Sequence, residues 1–183
     1  FYISKPLTML FIIALAFGYQ SDDHDGSHAW ILLGLCLSLA GDVLLMLPRD
    51  RFIQGLAAFF VAHLCYIVGF AQGPLVLNLV DGLLLLLVAG MVFGLLWGRL
   101  GEMKIPVFCY MLVIIGMAWV AAGAWHASLT AGSAAALVGA LMFLFSDSML
   151  ALDRFRRPFS HATAWIMSSY FAAQFLIAAS LAG

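Results

Sequence analysis

The sequence predicts an all-α fold: a polytopic transmembrane helix bundle with seven visible spans, forming a single domain over residues 1–183. Three observations predict it. The chain is 65% hydrophobic and only 9% charged, with a mean hydropathy of +1.09, whereas soluble domains carry about 25% charged residues. Its apolar runs each approach the roughly 20 residues that a bilayer-crossing helix needs. Its eight Lys and Arg residues all fall at alternate ends of those runs.

Hydropathy and turn residues place the spans at about 3–19, 29–47, 52–70, 75–97, 105–125, 133–152 and 162–181. The first residue is Phe, so the natural N-terminus is expected to lie further upstream. No small-residue cleavage site follows 3–19, which argues against a signal peptide. The second span carries Asp42, the third His63 and Tyr66, the sixth Asp147, and the seventh Tyr170 and Gln174. Gly90, Gly94 and Gly98 form a close-packing stripe on the fourth span. It is expected to pack inside the chain, with a dimer face as the alternative. Short connections predict that consecutive helices are antiparallel neighbours. Cys36, Cys65 and Cys109 lie in separate apolar runs and read as packing residues rather than a disulfide or metal set.

Numbering the helix ends alternately puts Lys5, Arg49, Arg51, Arg99, Lys104, Arg154, Arg156 and Arg157 on one side. The other side carries Asp22, Asp23 and Asp25 and no cation. The positive-inside rule makes the basic side cytoplasmic. Trp30, Trp97, Trp125 and Trp165 fall at span ends, as an interfacial aromatic belt should. Short loops and small size suggest a bacterial inner membrane. Nothing in this composition points to a nucleic-acid partner.

A charge at membrane depth costs roughly 3 to 10 kcal/mol, so an ionisable residue there is a functional hypothesis by default. Asp42 and Asp147 sit in matching contexts: a small residue, Asp, then Leu at the third and fifth positions beyond. Both spans run towards the basic side. Each aspartate lies five residues before its expected helix end, about 7–8 Å inside it. Phe59, His63, Tyr66 and Phe70 share one face of the third span, and Met167, Tyr170, Gln174 and Ile177 one face of the seventh. Lys5, Arg51, Arg154 and His161 are expected at the rim above the aspartates. The expected picture is a polar shaft open to the cytoplasm, with carboxylates near its mouth. Blander readings stand beside it. The aspartates would serve as interhelical hydrogen-bond glue or as partners of Lys5, His63 as a packing residue, and the Arg residues as topology signals alone. Asp81 and His126 read as wetted groups at the opposite face. Asp153 reads as a partner of Arg156 or Arg157.

Several ordered motifs carry a likeness to a known family. They are Lys5-Pro6-Leu7, Gly41-Asp42 with Leu47-Pro48-Arg49, and the run Phe52…Gly55-Leu56…Phe59-Phe60…His63-Leu64…Tyr66. Gly139-Ala140…Phe143…Ser146-Asp147 and Tyr170-Phe171…Gln174 follow. Together they resemble the YhhN family of lysoplasmalogenases, which includes animal alkenylglycerophospholipid hydrolases. The resemblance spans nearly the whole chain and implies eight helices, one of them before Lys5. It also implies hydrolysis of the vinyl ether bond of a lysoplasmalogen, a lysophospholipid, to a fatty aldehyde and glycerophospho-ethanolamine or -choline, with no cofactor.

Chemistry of that kind suits the residues. A vinyl ether hydrolyses by protonation at its β-carbon, and water then attacks the oxocarbenium ion. One carboxyl must hold a proton near neutral pH, which burial favours. Its ionised partner stabilises the cation or activates water, as in the glycosidase carboxylate pair. Asp42 and Asp147 are the expected catalytic pair, their acid and base roles unassigned. His63 is expected to position water or tune the pair. Lys5, Tyr66, Arg51, Arg154, Tyr170 and Gln174 are expected to bind substrate, the cations at its phosphate. Two alternatives are a metal-dependent hydrolase, with His63, Asp42, Asp147 and His161 around zinc, and a lipid transporter. The ligand spacing matches no strong metal motif, so no metal site is expected. An intramembrane aspartyl protease fits less well, because the residues preceding both aspartates depart from that family's pattern.

Overall fold

The computed structural model describes residues 4–19, 26–48 and 51–182. Among them are seven α-helices: α1 (Ser4–Gly18), α2 (Ser27–Met46), α3 (Phe52–Phe70), α4 (Leu79–Leu96), α5 (Lys104–Ser128), α6 (Ala131–Ala151) and α7 (Ala162–Ala179). Helices α2 to α7 are each long and apolar enough to cross a bilayer, while α1 has 15 residues. The chain is a multi-pass membrane protein built entirely from helices, the secondary structure that satisfies its own backbone bonds in lipid. Free N–H groups at the starts of α4 and α6 are capped locally. Asn78 accepts from the Val80 N–H at 2.9 Å. Thr130 and Ser133 cap each other's backbone at the start of α6.

Helices α1, α2, α3, α5, α6 and α7 surround the core. Met9, Leu35, Ile114, Met117, Phe143 and Ile177 fill it. Closest approach occurs where glycine removes a side chain. A Cβ at Gly41 would lie 2.7 Å from the Phe59 ring, and one at Gly55 would lie 2.6 Å from Leu45. A Cβ at Gly34 would overlap the Tyr66 ring. These three glycines let α2 and α3 lie against each other. Gly139 does the same for α6 and α7, where a Cβ would come within 3.0 Å of the Ala173 carbonyl.

Four expectations need correction. Gly90, Gly94 and Gly98 do not pack inside the chain: nothing lies within 4 Å of a Cβ built at any of them. Gly90 and Gly94 sit on α4, which turns Leu83, Leu84, Leu87 and Met91 outward, and Gly98 lies in the turn beyond its end. Helix α4 starts at Leu79 rather than 75. The stretch 75–78 stays extended beside α5, with the Val76 N–H bonded to the Gly123 carbonyl at 3.1 Å. That stretch carries the chain past α3. As a result α4 packs on α5 and on the end of α6, and α3 packs chiefly on α2 and α5 rather than on its successor. Finally, α6 does not stop at 152 but continues through a π-helical turn, Leu152–Arg156. Asp147 and Asp42 are therefore not equidistant from their helix ends.

The described cations gather at one end of the bundle. The Arg99 guanidinium donates to the Arg156 carbonyl at 3.3 Å, and the Arg154 guanidinium lies 3.9 Å from the centre of the Phe52 ring. Arg49 and the acidic segment 20–25 lie outside the described residues. At the opposite end His126 pairs with Asp81 at 2.7 Å, and both side chains stay partly exposed. The Asp153 carboxylate accepts from the Phe159 N–H at 3.2 Å, bracing the turn into α7 rather than pairing with Arg156 or Arg157. Cys36, Cys65 and Cys109 are free thiols.

The α2–α3 contact is directly testable. Gly34→Ala forces the Tyr66 ring to move, at the roughly 1–3 kcal/mol that overpacking costs. The purified variant should melt several degrees below wild type. An unchanged midpoint would show that the helices are not in contact at Gly34.

Candidate active site

Asp42 is fully buried on α2. Helix α1 supplies its counter-ion: the Lys5 ammonium lies 2.7 Å from Oδ1, with both side chains at 10% exposure or less. Helix α7 supplies a hydrogen bond, from the Tyr170 hydroxyl to Oδ2 at 2.7 Å. These contacts explain how a carboxylate is tolerated inside an apolar bundle. A buried charge persists when it is paired and its remaining lone pairs are satisfied.

The charge on Asp42 then orders a row of neutral groups. Tyr170 spends its one hydroxyl hydrogen on Asp42. Its oxygen therefore accepts from the Gln174 amide nitrogen at 3.2 Å. The Gln174 carbonyl oxygen faces Tyr66, which donates to it at 2.8 Å. With the Tyr66 hydrogen used, the Ser38 hydroxyl at 3.2 Å must be the donor to Tyr66. The relay Ser38, Tyr66, Gln174, Tyr170, Asp42 thus has every hydrogen aimed toward the carboxylate. Such chains strengthen cooperatively in low-dielectric surroundings.

Asp147 on α6 is held differently. It accepts a short hydrogen bond from the Tyr110 hydroxyl of α5. The ion pairs among the described residues are Lys5–Asp42 and His126–Asp81, so Asp147 touches no cation among them. Both aspartates nevertheless line one chamber of about 200 Å³ near the basic end, together with Lys5, Tyr110, Ser146 and Tyr170. The remaining walls are apolar, from side chains such as Leu45, Leu56, Phe59, Val107, Leu150 and Ile166. Charges facing such walls interact more strongly than they do in water.

The expected polar shaft is therefore an apolar chamber with a few polar groups on its wall. Of the expected site residues, Asp42, Asp147, Lys5 and Tyr170 face the chamber. Lys5 is buried against Asp42 rather than placed at the rim. Tyr66 and Gln174 stand behind the chamber, in the relay. His63 does not line it. Its Nδ1–H donates to the Phe59 carbonyl at 2.5 Å, and its ring packs 4.6 Å from Phe143 and 5.4 Å from Tyr110. Arg51 is exposed at the start of α3. Arg154 borders a cleft at the basic end that shares Leu45, Phe52 and Leu150 with the chamber. The zinc alternative loses its geometry: among the described residues, no three His, Cys, Asp or Glu side chains gather as a ligand set.

Three residues were missed by sequence reasoning. Tyr110 is the most consequential, because it holds Asp147. Its signal was present in the spacing, since Tyr110, Ile114, Met117 and Ala121 share the buried face of α5. Ser38 stands one turn before Asp42, on the same face. Ser146 faces the chamber and donates to the Ile166 carbonyl at 3.0 Å, tying α6 to α7.

Comparison with known proteins identifies the family. The YhhN family profile matches residues 1–181. The membrane protein YhhN of Escherichia coli O157:H7 is 35% identical over 181 residues, covering 98% of this chain and 86% of its own. Lysoplasmalogenase TMEM86B of Homo sapiens is 38% identical over 157 residues, covering 85% of this chain and 65% of its own. Lysoplasmalogenase TMEM86A of Bos taurus is 35% identical over 185 residues, covering 96% and 74% respectively. No solved structure matches the chain.

The ion pair makes a stability prediction. Lys5→Met leaves Asp42 charged and unpaired, a loss of about 3–5 kcal/mol for a buried pair. Pairing it with Asp42→Asn removes the orphaned charge. Denaturation midpoints should place the double variant above Lys5→Met alone. Additive losses would mean that the two groups do not interact.

Proposed function

The chain belongs to the YhhN family, and on that premise we propose that it is a lysoplasmalogenase, hydrolysing the vinyl ether bond of lysoplasmalogens. The observation that carries this reading is the pair of carboxyl groups on one chamber wall, each held by a tyrosine but, among the described residues, only one neutralised by a cation. In this reading the basic face is cytoplasmic and the membrane a bacterial inner membrane.

The unequal surroundings assign the roles. Asp42, with Lys5 and Tyr170 bound to it, stays ionised. Asp147, without a cation in contact, carries the proton into the chamber. Tyr110 occupies one of its oxygens and leaves the other for substrate. Proton transfer from Asp147 to the β-carbon turns the carbon–carbon double bond into a single bond and leaves an oxocarbenium ion. The Asp42 carboxylate faces that cation and directs a water onto its carbon, and the proton the water loses returns to Asp147. Collapse of the resulting hemiacetal breaks the bond to the glycerol oxygen, which takes a proton. The products are a fatty aldehyde and a glycerophospho-alcohol, and the net addition is one water. Arg154, beside the cleft that adjoins the chamber, is placed to meet the phosphate, for which a guanidinium is well shaped. His63 acts through the Tyr110 ring it packs against and positions Tyr110 rather than touching substrate.

The bond lies just below the headgroup, which matches a chamber near the basic end. A transporter reading has no comparable support: a proton-carrying carboxyl beside an ionised one is the equipment of acid–base chemistry.

The deciding measurement is aldehyde release by purified protein from a lysoplasmalogen, beside its ester and alkyl-ether analogues. Only the vinyl ether should be cleaved. Asp147→Asn should lower kcat by about 10²–10⁴-fold, the usual worth of a positioned general acid, with the melting midpoint close to wild type. Near-wild-type turnover in that variant would remove Asp147 from the mechanism.

A further inference from the structure

The chamber is too small to hold its substrate. At about 200 Å³ it has the room of roughly seven waters at about 30 Å³ each. That admits the reacting bond and part of the glycerol. A hydrocarbon chain reaching through one leaflet runs about 15 Å, half of a roughly 30 Å core. The chain must leave the chamber, and an apolar groove adjoins the chamber wall.

A groove of about 250 Å³ lies between α3 and α5 and shares Leu56 and Tyr110 with the chamber wall. Its other borders include Ile53, Ala57, Phe60 and Cys109, and no charged side chain lines it. Ala57 and Cys109 are small and exposed, and their size leaves the space open. Both helices begin at the basic end, at Phe52 and Lys104. The groove follows α3 from Ile53 to Val61, a rise of about 12 Å. It therefore descends from the basic face into the bilayer, as the chain of a lipid does below its headgroup.

We propose that this α3–α5 groove binds the hydrocarbon chain of the substrate, with Leu56 and Tyr110 as the lateral portal through which the vinyl ether reaches Asp147 from the bilayer. This rests on the proposed hydrolysis for the identity of the lipid. The portal also separates the products. The aldehyde returns to lipid along the groove, while the phosphate product leaves past the arginines. Tyr110 then has two duties, since the residue that holds Asp147 also borders the entry path.

Two measurements test the groove. Ala57→Trp fills it from an exposed position outside the chamber. The KM for a long-chain lysoplasmalogen should rise at least tenfold, the worth of about two buried methylenes. The kcat/KM of a short-chain substrate with the same headgroup should stay unchanged. Equal loss for both chains, or no change for either, overturns the proposal. The second measurement needs no turnover. An apolar alkylating reagent modifies Cys109 in the groove and Cys36 on the outer surface of α2, both exposed. A non-hydrolysable lyso-alkyl-ether lipid should slow modification of Cys109 and leave Cys36 unaffected. Equal protection, or none, counts against the groove. If the wild type releases no aldehyde while Cys109 alone is protected, the hydrolysis reading fails and the chain-binding groove stands.

Discussion

The ion pair between Lys5 and Asp42 is the contact on which the interior is organised. A carboxylate in an apolar bundle is strongly unfavourable by itself, and so is an ammonium. Brought to 2.7 Å, each removes the other's penalty, provided the remaining lone pairs are also satisfied. Tyr170 satisfies one, and through it the orientations of Gln174, Tyr66 and Ser38 follow in sequence. One charge thus draws together α1, α2, α3 and α7, and it decides which way each neutral hydrogen points.

Asp147 shows what the same side chain does without that support. It has a tyrosine and a place on the same chamber wall, yet no cation in contact among the described residues. Two chemically identical groups in one chamber thereby stand in different electrostatic surroundings.

Some of this was legible in the chain. The two aspartates stand out because they are charges in apolar runs, and the repeat of their local context linked them. Tyr170 and Gln174 were visible from their spacing on one helix face. Lys5 was visible as a residue, but its place was not: a lysine near a helix start reads as a rim cation until a partner draws it inward. The depth argument linked two aspartates that do line one chamber, by a route the structure modifies, since α6 runs on through a π turn. The stripe at Gly90, Gly94 and Gly98 misled, while Gly34, Gly41 and Gly139, which do permit close contact, carry no such regular spacing.

What the sequence by itself determined is which segments are helices and which polar residues are out of place. Those are local decisions: lipid offers the backbone no partners, so hydrophobic length dictates a helix, and a charge within an apolar run stands out. Only the tertiary structure decided which helices touch and which face each one turns inward. It put Tyr110 of α5 on Asp147, set α3 against α5 rather than α4, and opened the groove between them. The reason is physical. Inside a membrane an outward face and an inward face are both apolar, so hydrophobicity cannot choose between them. The choice rests on shape, small residues and a few hydrogen bonds between segments far apart in the chain.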